Sequence, residues 1–187
     1  DLHPWHTLSL HDALPISLLC FLGAGYDHAS PNRFRKVVKQ GLVWLEGQAK
    51  PAPSAGVMFG GNRRMYHNAV ATMALAEAYA MTLDRRLRPI AQEAVDFVLA
   101  EQNRDGDGYA LGWNYTPSAT RNDASVSGWA CMALKSAAAG GLDVGDGMEG
   151  AKSYLARAWK AANPHWQSVD PYNGKTLFPY TWNPQNE

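Results

Sequence analysis

The chain has 187 residues, 46% hydrophobic and 18% charged, enough apolar material for one ordinary core and too apolar for a disordered chain. Seventeen basic residues balance 17 acidic ones, so no footprint for nucleic acid or an anionic membrane stands out. No apolar run reaches the roughly 18 residues of a spanning helix, so no integral membrane segment is expected and the compartment stays unassigned.

The first 17 residues, "DLHPWHTLSLHDALPIS", hold three of the six histidines (His3, His6, His11) and two prolines, with no helical period. They resemble translated sequencing-adapter sequence and are expected to be a non-native or disordered leader, so no metal site is built from them. "ALPISLLCFLGAG" has the apolar character of a signal peptide but lacks its basic leader, and the chain opens on Asp1, so it reads as a fragment. Residues 18–187 form the expected folded domain. Cys20 and Cys131 both lie among apolar neighbours and read as core residues rather than a disulfide or a metal pair.

Ser30-Pro31 is a helix-start signal, and Phe34, Val37, Val38, Gly41, Leu42 and Leu45 follow at helical spacing, predicting a helix over 31–48. "MYHNAVATMALAEAYAMT" predicts a second over 64–81, apolar on most sides and therefore buried. Asp84 is placed to cap a third, over 86–102, with the stripe Leu87, Ile90, Ala91, Ala94 and Val98. A fourth covers 124–139 and stops at Gly140-Gly141, a left-handed terminus. Asp146 and Glu149 stand at capping-box spacing before a fifth, 147–161, which carries Tyr154, Leu155 and Trp159. Long loops rich in Gly, Pro and aromatics connect the helices, and the only strand signals in them are "GWNYT" and "FPYTW".

The pattern repeats. "MALAEA" at Met73 returns as "MALKSA" at Met132. "VWLEGQ" at Val43 is answered by "FVLAEQ" at Phe97, and that in turn by "YLARAW" at Tyr154. The three intervals are nearly equal, differing by no more than loop variation would produce. Units of this length bury their apolar stripes only against one another, so the expected fold is all-α, a stack of repeated helix pairs.

Phe97, Val98, Leu99 and Gln102, followed after a Gly-rich turn by Gly112-Trp113, resemble the repeats of squalene-hopene and oxidosqualene cyclases. A degenerate copy reads Trp44, Leu45, Gln48, Gly56 and Phe59. The wider string, from "FLGAGYDH" through "SVSGWACMALKSA", is similar to bacterial prenyltransferase and squalene-oxidase repeat proteins. The resemblance implies an α/α toroid, here a partial ring. Inner helices would lie at 64–81 and 124–139, and outer ones at 31–48, 86–102 and 147–161. It also implies an apolar or isoprenoid ligand, or a protein partner, on the concave face.

The cyclases' proton donor lies in a D-x-D-D-T motif, and the matching positions are Arg121, Asn122, Asp123, Ala124 and Ser125. Only the middle Asp and a hydroxyl remain. Asp123 is therefore the catalytic candidate if the chain is a terpenoid cyclase variant, and otherwise the N-cap of the helix it precedes. Arg121 favours its ionised form, the wrong state for an acid. Tyr66, His67, Ser125 and Trp129 are the candidate ligand-binding residues, all near inner-helix starts, with the aromatic faces suited to cationic or apolar groups. Asn103, Asp105, Asp107 and Gly108 match the first calcium-loop positions, but Asn114 replaces the bidentate Glu, so a tight turn is expected and no metal. No cofactor is expected. The absence of the full acid motif ranks a non-catalytic binding scaffold above the cyclase, and a lack of paired carboxylates ranks it above a carbohydrate-active toroid.

Overall fold

The computed structural model describes residues 10–59, 65–116, 121–162 and 178–186. They are mostly helical, with six α-helices and a few short strands. The helices are α1 (Leu10–Gly23), α2 (Arg35–Gly47), α3 (Met65–Thr82), α4 (Leu87–Ala100), α5 (Ala124–Ala139) and α6 (Gly147–Ala162). They form three successive pairs. α3 packs against α1 on one side and α5 on the other, while α2, α4 and α6 lie against α1, α3 and α5 respectively.

α3 is buried almost all round because its sequence is small and apolar. Ala69, Ala71, Ala74, Ala76 and Ala78 are all buried, as are Val70 and Leu75, and their short side chains let neighbouring helices approach closely. α2, α4 and α6 instead bury one stripe each, exemplified by Val38, Leu42 and Leu45 on α2 and by Ala91, Ala94, Val95 and Val98 on α4. Of the apolar positions read from the sequence, Val37 and Leu155 prove exposed, as does Met81 near the end of α3.

The helix limits differ from expectation where side chains build turns. α2 starts at Arg35, not Pro31. Asp27 accepts the Ala29 and Ser30 amides, and Asn32 bonds back to the Asp27 carbonyl and forward to the Phe34 amide. These bonds hold residues 27–34 in a turn that competes with the helix. Asp84 accepts the Arg86 amide and grips its guanidinium, two residues before the N-cap position of α4, which Arg86 holds. Asp146 and Glu149 do stand at the start of α6, but their carboxylates pair with Arg104 and Lys152. Residues 1–9 of the expected leader lie outside the described residues. Residues 10–17, which show no helical period in the sequence, form the first half of α1, with Pro15 inside it. Cys20 is exposed and Cys131 half-buried, so neither is the fully enclosed core residue expected; both are free thiols.

The strands are minor. β1 (Ala49–Pro51) and β2 (Val57–Phe59) make a hairpin inside a stretch read as loop. β3 (Asn122–Asp123) pairs antiparallel with β4 (Thr181–Trp182), so "FPYTW" does supply a strand, whereas "GWNYT" does not. Residues of "GWNYT" instead feed single bonds to the helix starts: the Trp113 carbonyl accepts from Asp123, and the Tyr115 carbonyl from Met65.

The repeat is visible at the helix ends. Gly25, Leu83 and Gly141 are evenly spaced along the chain, and all take a left-handed conformation just past α1, α3 and α5. At Gly141 the bonds are those of a Schellman terminus, Leu142 to Ala137 and Gly141 to Ala138. Only the middle copy carries a side chain there. Leu83→Gly is therefore expected to stabilise the protein by about 0.5–1 kcal/mol, relief of left-handed strain outweighing the entropy of glycine. A shifted urea midpoint at unchanged slope would register it; an unchanged or lowered midpoint would contradict it.

Candidate functional site

The repeat residues Gln102 and Trp113 are structural fasteners. Trp113 is fully buried, and its Nε1 donates to the Val98 carbonyl at 2.7 Å. Gln102 Nε2 donates to the Leu111 carbonyl at 2.6 Å and to the Gly147 carbonyl at 2.9 Å. One side chain thus ties the end of α4 and the following loop to the start of α6. The loop itself is a tight turn, as expected. Asp105 accepts the amides of Asp107 and Tyr109 and pairs with Arg157 at 2.7 Å, which holds its carboxyl below the usual range. Gly108 is left-handed. Among the described residues, no group of three or more His, Cys, Asp or Glu is arranged to hold a metal.

The loops that fasten the helices also bring four of the five expected site residues together. Asp123 is fully buried and has extended backbone, as an N-cap requires. Its Oδ1 accepts the Ser125 amide at 3.0 Å, the Val126 amide at 3.2 Å and the Ser125 hydroxyl at 2.6 Å. Its backbone amide donates to the Trp113 carbonyl at 2.7 Å, and Arg121, half exposed, reaches Oδ2 at 3.5 Å. Asp123 therefore caps α5. Among the described residues, no carboxylate bonds to it.

Ser125 links the cap to an aromatic group. Its Oγ lies 3.2 Å from the Tyr180 hydroxyl. Tyr115 stacks on Tyr66 with the rings 7° from parallel and 6.5 Å apart, and Tyr66 meets Trp129 edge-on at 5.9 Å. Tyr66 and Trp129 are half-buried, while Tyr115 and Tyr180 are exposed. His67 adjoins Tyr66 on α3 and is half-buried. The cluster sits where α3 and α5 begin. Met65 bonds the Tyr115 carbonyl and Ala124 bonds the Tyr180 carbonyl, so each helix start holds one of the two tyrosine-bearing segments in place.

Tyr115 and Tyr180 are absent from the candidates read from the sequence. The signal was present, because they are the tyrosines of "GWNYT" and "FPYTW"; what the sequence hid was that both segments converge on the start of α5. The Ser125 hydrogen bond lowers the Tyr115 pKa, but burial, Tyr180 and the Asp123 charge together raise it above the ordinary value. Burial also pushes the Cys131 thiol up. Tyr154, enclosed between α6 and the loop, rises to about 12, first through burial and then through the nearby Asp123.

Two outcomes follow. Asp123→Ala is expected to lower stability by about 0.5–2 kcal/mol, and Asp123→Asn by less, because Asn also caps. Equal losses in denaturant titrations would show that the charge rather than the cap matters. Tyr154 makes no pH-dependent contribution to stability below about 10, the ordinary phenol value. Between there and about 12 stability falls, because the unfolded chain gives up that proton first. Phenolate absorbance should show a step near 12 that Tyr154→Phe removes.

No family model, curated protein or solved structure matches the chain.

Proposed function

We propose that the chain is an arc of an α/α toroid whose α1, α3 and α5 form the inner layer and α2, α4 and α6 the outer one. It works as a non-catalytic scaffold that takes an apolar ligand at the aromatic mouth where α3 and α5 begin. Helix pairs stacked through one central row support the toroid. The resemblance of the Gln102 and Gly112-Trp113 repeat to the cyclases supports it too.

The observation that carries the binding reading is the setting of Asp123. Its Oδ1 is filled by three donors, its surface is closed to solvent, and among the described residues the side chain that reaches Oδ2 is a guanidinium. A proton donor to an alkene must be reachable by the substrate and made acidic by its neighbours, a further carboxyl above all. Asp123 is closed off and has a guanidinium where that carboxyl would stand; it serves the fold. The rings of Tyr66, Tyr115 and Trp129 offer apolar area with little polar competition.

Trp129 gives the test. A compact apolar probe should change the tryptophan fluorescence of the wild type, and Trp129→Ala should weaken binding about tenfold or more, the loss of a buried aromatic contact. Saturable binding that survives Trp129→Ala undiminished would place the ligand elsewhere.

A further inference from the structure

The row α1–α3–α5 has an open side at each end. Among the described residues, α3 has a row helix on either side, and α1 and α5 have one each. On α3, Ala69, Thr72, Ala76 and Tyr79 share one face at helical spacing, and all are buried. Tyr79 sets that face toward α5, because a Cβ on Gly140, at the end of α5, would lie 3.3 Å from its ring. The repeat that places Met132 on Met73 puts Gly128, Cys131, Lys135 and Ala138 at the same four positions of α5. Cys131 is half-buried and the other three are exposed. A Cβ on Gly128 would meet nothing within 4 Å. The side that α5 closes on α3 is thus open on α5 itself.

The other end shows the reverse. Ala71, Ala74, Leu75 and Ala78 on α3 return as Ala130, Ala133, Leu134 and Ala137 on α5, the same residue types, and all are buried. α1 ends in the same Schellman turn as α5, Tyr26 bonding to Phe21 and Gly25 to Leu22, which aligns Phe21 with Ala137. Leu14, Ser17 and Leu18 take the other three positions, and of the four only Leu18 is buried. The two open sides differ from α3 in opposite senses. α5 has Gly128 and Ala138 where α3 has Ala69 and Tyr79; α1 has Leu14 and Phe21 where α3 has Ala71 and Ala78. Small residues at one end meet large ones at the other, as facing layers of a packed core do.

We propose that a second copy of this chain sets its α1 against the open side of α5, so that the row of helices continues from one chain into the next. The contact is head-to-tail, each copy offering a different side. It continues the packing that α1 makes on α3 and α3 makes on α5. A repeat array that ends in solvent closes with a polar outer face. Here the α5 side carries one charge, Lys135, whose stem covers apolar surface while its ammonium stays in water. The inference does not depend on the aromatic mouth binding a ligand.

Sedimentation equilibrium of the full chain tests this. The wild type is expected to exceed the 20.4 kDa of one chain, increasingly so as concentration rises. Gly128→Arg blocks the α5 side and Ser17→Arg the α1 side, and each variant is expected to sediment as a single chain. Both positions are exposed, so the fold of one chain survives, which circular dichroism establishes. The equimolar mixture of the two variants decides the geometry. Each keeps the side that the other has lost, so the mixture should form a pair of chains and grow no further. A wild type that stays at the mass of one chain overturns the proposal and leaves the open side of α5 to a different partner. A mixture that stays single, or an assembly that survives either substitution, overturns it as well, because the contact then lies elsewhere.

Discussion

Everything in this structure depends on how closely other helices come to α3. A helix flanked on both sides has no face to spare for bulky residues, and α3 meets that demand with a run of alanines. The consequence is geometric: α1 and α5 are held at a fixed spacing on either side of it. The aromatic mouth exists because the starts of α3 and α5 lie near each other. Larger residues at Ala74 or Ala78 would part the helices before they touched any site residue.

Close packing fixes the helices, but the mouth also needs its loops placed. Asp123 provides this by belonging to two elements. It is the last residue of β3, paired with Thr181, and the cap of α5. Its backbone holds the Trp113 carbonyl while its side chain holds Ser125. The segments bearing Tyr115 and Tyr180 are thus both tied to one residue. A buried charge of this kind is tolerated because backbone donors and a hydroxyl satisfy it, with a guanidinium at the edge. Its effect on the fold lies in the order it imposes on the loops.

Much of this was legible in the sequence, for identifiable reasons. Helices α4 and α6 carry strong periods, α3 and α5 are long runs of small and apolar residues, and the repeat that relates Met73 to Met132 recurs physically: Glu77 and Ser136, 59 residues apart, are hydrogen-bonded across α3 and α5. Tyr66, Asp123, Ser125 and Trp129 all stand at helix starts, and helix starts are what the fold gathers. The start of α1 is hidden because His11 and Pro15 break its pattern, although Pro15 proves buried. The late start of α2 is hidden because Asp27 and Asn32 turn the chain through side-chain bonds that no periodicity registers. Tyr115 and Tyr180 escape a reading of the sequence because their meeting is made by long-range backbone pairing, β3 with β4, between segments far apart in the chain.

The surroundings of Asp123 explain why its carboxylate serves as a cap. In a motif with further carboxyls, the middle Asp is surrounded by groups that compete for protons. Here Arg121 and Ala124 replace two of them, and the remaining hydroxyl, Ser125, turns its proton inward. With no neighbouring carboxyl to share a proton, the low-energy use of a buried Asp at a helix start is to accept from the backbone. Once it does, the Ser125 hydroxyl orients toward it as well. A local capping bond thereby holds the hydroxyl beside it, and the loop segments that meet at the start of α5 are ordered by helix capping as much as by their own side chains.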